Sequence, residues 1–344
     1  MPHGALQALP EGTSNWDTAW LFYKPSYRVL ETDGSVQSVL FENESYAGHL
    51  TDLFAYVGIP PGATRRVPAM VCVHGGLGAA FRSWVDEWVQ RGYAAIAMDL
   101  NGCGANRAPL SRRGPAMEDS VIFDPTDRWT DRWTYHAVSS VLRSHSLLRS
   151  LPAVDPARIG ITGVSWGGYL TCLAASLDPR LACAIPIYGC GFLLANSALA
   201  WMTRFAAMTP VQRLAWHNQC DPSVYLPAAT APLLFVSGTN DFAFLLDSVR
   251  QTYALPQSSV TYCIRVGMEH SQEHGIAPAE IALFADHHLR GGEPLPAVGK
   301  AMPHGTPPLR AGAESSTHRA GFPPLHDRSH PVAGTEMADP VRPA

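Results

Sequence analysis

Long apolar runs are missing from this chain. No stretch approaches the 18 or so uninterrupted apolar residues that a membrane-spanning helix needs, so a spanning segment is not expected. The first twenty residues have neither a cationic start nor an apolar core, so no secretory leader is expected there. A basic excess is missing too. Lys and Arg together number 25 against 29 Asp and Glu, giving a net charge of -4 and a pI near 6.4. That balance gives neither nucleic acid nor an anionic membrane surface anything to bind, and neither is expected as a partner. Cysteines are few and carry no CxxC spacing. The seven (72, 103, 172, 183, 190, 220 and 263) are scattered and odd in number, and Cys72, Cys172 and Cys183 lie inside apolar runs. Thiols in such places behave as small buried hydrophobes, which argues against a zinc site or a disulfide framework and points to a reducing cytoplasm.

What is present is a globular composition, 46% hydrophobic over 344 residues, enough for one large core. Short apolar runs at 70–73, 94–98, 159–162, 182–187, 233–236 and 260–266 read as buried strands. Helical stretches near 80–91, 133–151, 167–177, 242–254 and 278–290 alternate with them. The last has Pro278 at its expected first position and stops before Gly291-Gly292. This alternation predicts an α/β fold with a mostly parallel central sheet flanked by helices on both faces. Upstream, 35–41 and 51–57 read as antiparallel strands entering that sheet, with a weak turn signal between them.

The organisation expected is an N-terminal extension over 1–34, a catalytic domain over 35–292, and a Pro-, Gly- and Ala-rich disordered tail over 293–344. Two excursions interrupt the alternation, 101–131 and 189–230. The second is a candidate lid or pocket wall. His136 and His145 fall on the long helix as surface or packing residues, and Asp99 follows a strand as a turn organiser.

The strongest motif is Gly163-Val-Ser165-Trp-Gly167-Gly168. G-x-S-x-G arises by composition in roughly one chain in ten of this length, so context has to carry it. Here it follows an apolar strand and opens an amphipathic helix, as a nucleophile on a sharp strand-to-helix turn requires. A serine hydroxyl needs a base, and the base needs an orienting acid. Asp241 stands just past the strand at 233–236, and His270 just past the strand at 260–266. Both fall at the edge where open α/β sheets bind ligands, in the chain order Ser, Asp, His. Asp247 and His274 are the local competitors. His74-Gly75-Gly76-Leu77-Gly78, after another strand, predicts an oxyanion loop. Its expected donors are the N–H of Trp166 and one from Gly76 or Leu77.

A rival pattern overlaps the histidine. His270-Ser-Gln-Glu273-His274 fits H-x-x-E-H, but Gly267, Gly275 and Pro278 leave barely a turn of helix to present zinc ligands. No metal and no cofactor are expected. Phe192, Trp201 and Phe205 in the 189–230 excursion are candidates for the substrate pocket, with core packing the competing reading.

These motifs, with the stretches 84–99 and 155–160, resemble the acetylxylan-esterase-like hydrolases, bacterial proteins grouped near the dienelactone hydrolase and prolyl oligopeptidase families. The likeness spans roughly 35–292. Gly-x-Ser-Trp-Gly-Gly-Tyr is similar to the elbow of the peptidase-type members, and Gly238-Thr-Asn-Asp241 to their acid turn. Met268-Glu-His270-Ser matches their Met-Pro-His-Gly-His loop only at Met268 and His270. Dienelactone hydrolases use a cysteine nucleophile, from which Ser165 departs. The resemblance implies an α/β-hydrolase fold and metal-free acyl transfer to a small-molecule ester. A small-peptide peptidase and a non-catalytic binding protein of the same fold are the alternatives.

Overall fold

The computed structural model describes residues 15–118, 122–123 and 128–296. Among them nine strands form one sheet: β1 Tyr27–Asp33, β2 Val36–Tyr46, β3 His49–Gly58, β4 Val67–Val73, β5 Ala94–Met98, β6 Val154–Val164, β7 Cys183–Ile187, β8 Leu233–Gly238 and β9 Val260–Arg265. Their order is β1-β2-β3-β5-β4-β6-β7-β8-β9. The first four in space pair antiparallel, and from β5 onward every neighbour is parallel. The central strands β5 and β7 are buried at every position and β4 at all but its first, as expected where helices cover both faces. β1, exposed along its whole length, is one edge and half-buried β9 the other.

The β2–β3 hairpin closes on two residues, Ala47 and Gly48, both with positive φ, and Tyr46 pairs with His49. That conformation follows the right-handed twist of the strands but normally calls for Asn-Gly, which explains the weak turn signal.

The helices are α1 Thr18–Leu21, α2 Arg82–Gln90, α3 Trp133–Ser150, α4 Trp166–Leu177, α5 Leu199–Ala207, α6 Pro210–Cys220, α7 Pro222–Tyr225, α8 Leu246–Thr252, α9 Gln272–Ile276 and α10 Ala279–Arg290. α3 is buried through almost all of its turns despite carrying four serines, two histidines and an arginine within them. Most of its polar groups find partners, while Ser144 Oγ, His136 Nδ1 and His145 Nε2 have none. Ser139 and Ser140 hydroxyls donate to carbonyls one turn back, and Arg143 donates to the carbonyls of Trp20, Tyr23 and Glu42 with its guanidinium over the Trp20 ring.

Those partners correct the expected boundary at residue 34. From residue 15 the chain is part of the domain: Trp16 and Leu21 are buried, Trp16 packs against Trp129, Tyr135 and Tyr225, and β1 extends the sheet. Of the two readings open for His136 and His145, packing holds, since both are interior. His145 Nδ1 lies 2.7 Å from Asp178, which Arg180 also engages. Of the expected tail, the part from 297 onward lies outside the described residues.

The 189–230 excursion is helical, made of α5, α6 and α7. Buried Asp221 at its far end accepts the N–H groups of Phe192 and Leu193 at its start, closing it into a compact cap. Trp216 donates its indole N–H to the Ile122 carbonyl, and the Tyr169 hydroxyl donates to Cys220 from below.

Candidate active site

The chain leaves β6 at Val164 and enters α4 at Trp166, with only Ser165 between them. Ser165 has φ 61° and ψ -120°, a region that side chains rarely occupy. The surrounding glycines show why the turn can be so tight. A Cβ at residue 163 would run into the Gly167 carbonyl, and one at residue 167 into the Val73 carbonyl. The elbow is pinned by the Ser165 N–H to the Ile187 carbonyl at 2.9 Å and by the Tyr169 N–H to the Ser165 carbonyl at 2.9 Å.

The Ser165 hydroxyl donates to His270 Nε2 at 2.8 Å, and His270 Nδ1–H donates to Asp241 Oδ1 at 2.9 Å. Three side chains from β6, β8 and β9 thus meet at the C-terminal edge of the sheet. Asp241 is buried, and the same Oδ1 also accepts the N–H groups of Ala243 and Phe244. Its turn-forming and histidine-orienting roles are therefore met by one oxygen. This also shortens the helix expected over 242–254: residues 243 and 244 spend their N–H groups on Asp241, and α8 begins only at Leu246. His270 lies over Tyr188 with ring centroids 4.4 Å apart, flanked by Phe242 and Phe244. Tyr188 in turn donates its hydroxyl to the Glu269 carbonyl at 2.5 Å, fixing the loop just before the imidazole.

The two competitors are engaged elsewhere. Asp247 accepts from Asn196, and His274 Nδ1 faces the Ser271 hydroxyl at 2.9 Å. His270 precedes α9 and His274 lies within it, so the H-x-x-E-H residues do not share one helix face. Among the described residues no group of three or more His, Cys, Asp or Glu is placed to hold a metal ion.

The His74–Gly78 loop comes up beside Ser165. A Cβ at Gly75 would sit 2.8 Å from the Val164 carbonyl and 3.1 Å from Ser165 Cβ, so only glycine allows this approach. The Gly78 N–H closes a turn on the Gly75 carbonyl at 3.1 Å, with Leu77 at φ 58° inside it. Three side chains fix the loop. Buried His74 accepts the Leu100 N–H at Nε2 and donates Nδ1–H to Gly75, Asn101 donates to the Gly78 carbonyl, and Arg107 donates to the Leu77 carbonyl. Burial lowers His74 to about 4, so it stands neutral in the tautomer this arrangement needs. Among the described residues the N–H groups of Trp166, Gly76 and Leu77 donate to no protein acceptor. A cavity of about 470 Å³ opens between them, lined by Gly76, Leu77, Met117, Glu118, Ser165 and Trp166.

The aromatic residues expected in the pocket stand apart from that lining. Trp201 packs on Trp166 with centroids 4.7 Å apart, and Phe205 is buried against Phe123 and Trp216. Phe192, half-buried with φ 59°, meets Asp221 through its backbone. Trp201 and Phe205 belong to the packed layer behind Trp166, because the cap folds onto α4 and not across the serine. Met117, Glu118, Asn101, Arg107 and Tyr188 are site residues that sequence reasoning missed. The only signal for the first four was their place in the long 101–131 excursion.

Buried Asp99 is the turn organiser expected, accepting the N–H groups of Asn101 and Cys103; burial raises its carboxyl to about 6 against those bonds. All seven cysteines are unpaired. Five are buried, and burial pushes their thiols up.

A mostly parallel sheet with helices on both faces and a serine elbow after β6 defines the α/β-hydrolase class. Residues 53–270 match the dienelactone hydrolase family, and the chain belongs to that family. The match ends on His270. In fold it is similar to the acetyl xylan esterase from Paenibacillus sp. R4, with a TM-score of 0.64 and 19% identity over 79% of this chain and 92% of that one. It is also similar to acetyl xylan esterase 1 from Thermoanaerobacterium sp. JW/SL YS485, with a TM-score of 0.63 and 16% identity over 78% and 93%. The Pyrococcus horikoshii acylaminoacyl peptidase gives 0.57 and 20% over 74% of this chain and 42% of that one. An uncharacterized protein of Mycobacterium tuberculosis is 32% identical over 127 residues, 34% of this chain and 28% of that protein, so the shared stretch spans under a third of the relative. The chain is thus a dienelactone-hydrolase-like α/β-hydrolase, and among its described residues no helix is long and apolar enough to cross a membrane.

Proposed function

We propose that the protein hydrolyses carboxylic esters of small molecules through an acyl-enzyme on Ser165. The observation that carries the reading is the unbroken relay from the Ser165 hydroxyl through His270 to Asp241, at 2.8 and 2.9 Å. His270 Nε2 takes the serine proton as Oγ attacks the ester carbonyl. Asp241 holds the Nδ1–H tautomer and stabilises the imidazolium that forms. The carbonyl oxygen becomes an oxyanion, and the N–H of Trp166 with that of Gly76 or Leu77 would receive it. Each such donor is worth about 3–4 kcal/mol of barrier. His270 then returns the proton to the departing alcohol, and water reverses the sequence to release the acid.

The ester reading takes precedence over the amide on chemical grounds. An alkoxide is a far better leaving group than an amide anion, so a site able to cleave amides also acylates from activated esters. The test is hydrolysis of a series of p-nitrophenyl esters from acetyl to octanoyl, an acetylated sugar and an aminoacyl amide, beside Ser165→Ala. Wild-type turnover with loss of more than a thousandfold in Ser165→Ala is expected. Full activity in that variant would show the assignment to be wrong, and amide turnover without ester preference would favour a peptidase.

A further inference from the structure

The cavity beside Ser165 is apolar over most of its wall, through Leu77, Met117 and Trp166. The one acidic or basic side chain among its lining residues is Glu118. Glu118 is exposed, and among the described residues its carboxylate makes neither an ion pair nor a hydrogen bond. The arginine that touches the same rim, Arg107, is directed to the Leu77 carbonyl. A carboxylate that no described cation pairs with, on a mostly apolar wall, attracts positive groups and repels negative ones at close range, even with the Arg107 guanidinium on the same rim. A sphere of the cavity's volume is about 10 Å across, the span of a small ester. A substrate acylating Ser165 therefore places its far end several bonds from the scissile carbonyl, on the wall that Glu118 shares.

We infer that Glu118 selects substrates that carry a positively charged nitrogen on the acyl or alcohol side and discriminates against those that carry a carboxylate. The inference rests on the hydrolase reading above and names the substrate class for that site. Glu118 is a specificity residue, and it takes no part in the proton relay. One charge pair at this range, screened by water on one side, is worth about five- to tenfold in kcat/KM.

The test uses pairs of esters equal in shape and different in charge. One pair is acetylcholine and 3,3-dimethylbutyl acetate. The other is the p-nitrophenyl esters of trimethylammoniobutyrate and of its all-carbon isostere. In wild type at low ionic strength, the cationic member of at least one pair should be favoured about five- to tenfold in kcat/KM, and the preference should shrink as salt is added. Glu118→Gln should bring the ratio to about one, Glu118→Asp should keep part of it, and Glu118→Lys should invert it. A ratio of one in both wild-type pairs, or a ratio unmoved by Glu118→Gln, overturns the inference. Ser165→Ala separates the two levels. If it abolishes turnover while the ratio is flat, only the charge selection falls; if it leaves turnover intact, the hydrolase reading falls and this inference with it.

Discussion

Acidification should loosen the loop beside Ser165, and His74 is the reason. Its Nε2 accepts the Leu100 N–H at 2.9 Å in a fully buried setting, so a proton there would put two N–H groups face to face. Burial lowers it from 6.5 to about 4. His136, also buried and lowered to about 4, donates Nε2–H to the Thr130 carbonyl and has no partner at Nδ1. A histidine whose folded value is depressed contributes stability above 6.5 that is lost as pH falls through about 4, because the unfolded chain binds the proton first. Between pH 7 and 4.5 each of these two histidines should cost about 2 kcal/mol. Asp99 works in the opposite direction. Raised from 3.8 to about 6, it favours the folded state at low pH and returns about 2 kcal/mol on acidification. Single variants isolate one term. In His74→Gln the amide oxygen can still accept the Leu100 N–H but does not titrate. Urea unfolding at pH 7 and 4.5, at constant ionic strength, should show wild type losing about 2 kcal/mol more than His74→Gln. Every other titrating group is common to both chains. Equal losses, within about 0.5 kcal/mol, would refute the reasoning.

Three other perturbations probe the site from different sides. Asp241→Asn should lower kcat by about a thousandfold or more at nearly unchanged KM, because the amide can present N–H to the imidazole and trap the wrong tautomer; a loss under tenfold in steady-state assays would remove Asp241 from the relay. Gly167→Ala pushes a methyl into the Val73 carbonyl of β4, where backbone cannot retreat, and should destabilise the fold by about 3 kcal/mol or more. A thermal midpoint within a degree or two of wild type would contradict it. Tyr188→Phe keeps the ring under His270 but removes the hydroxyl donor to Glu269, and should cost about 1–2 kcal/mol of stability together with a several-fold drop in kcat/KM. Unchanged kinetics and stability would show that the Glu269 carbonyl needs no such anchor.

The parallel half of the sheet was legible because its strands are buried on both faces and read as short, nearly unbroken apolar runs: β5 matches its expected span to the residue, and β4 and β6 contain theirs. Ser165, Asp241 and His270 were legible because each follows such a run. β1 was not. Every residue of Tyr27–Asp33 is exposed, so no apolar alternation marks it, and only its pairing with β2 makes it a strand. α3 was legible as a helix, but whether its histidines face solvent or the interior was not, since their partners, Thr130 and Asp178, lie outside the helix. Met117 and Glu118 reach the site through Asn101, which accepts the Met117 N–H while donating to Gly78. A contact made by one side chain across two loops leaves no periodic trace in sequence.

The left-handed residues explain how so many groups converge on one sheet edge. Leu77, Ser165, Tyr188 and Phe192 all have φ near 60°, and they lie on connections leaving the ends of β4, β6 and β7. Each costs about 1–3 kcal/mol unless its surroundings over-determine it. Here each is held by a group from elsewhere in the chain: Leu77 by Arg107, Ser165 by the Ile187 carbonyl, Tyr188 by the Val236 carbonyl and Phe192 by Asp221. A chain leaving a parallel strand must reverse within a residue or two to set a side chain above the edge, and a left-handed residue makes that reversal in a single step. Two of the anchors, the Ile187 and Val236 carbonyls, belong to neighbouring strands of the sheet, and the other two, Arg107 and Asp221, come from the 101–131 and 189–230 excursions. The hydroxyl, the imidazole and the free N–H groups are therefore in place before a substrate arrives, held by the sheet together with side chains of the two excursions.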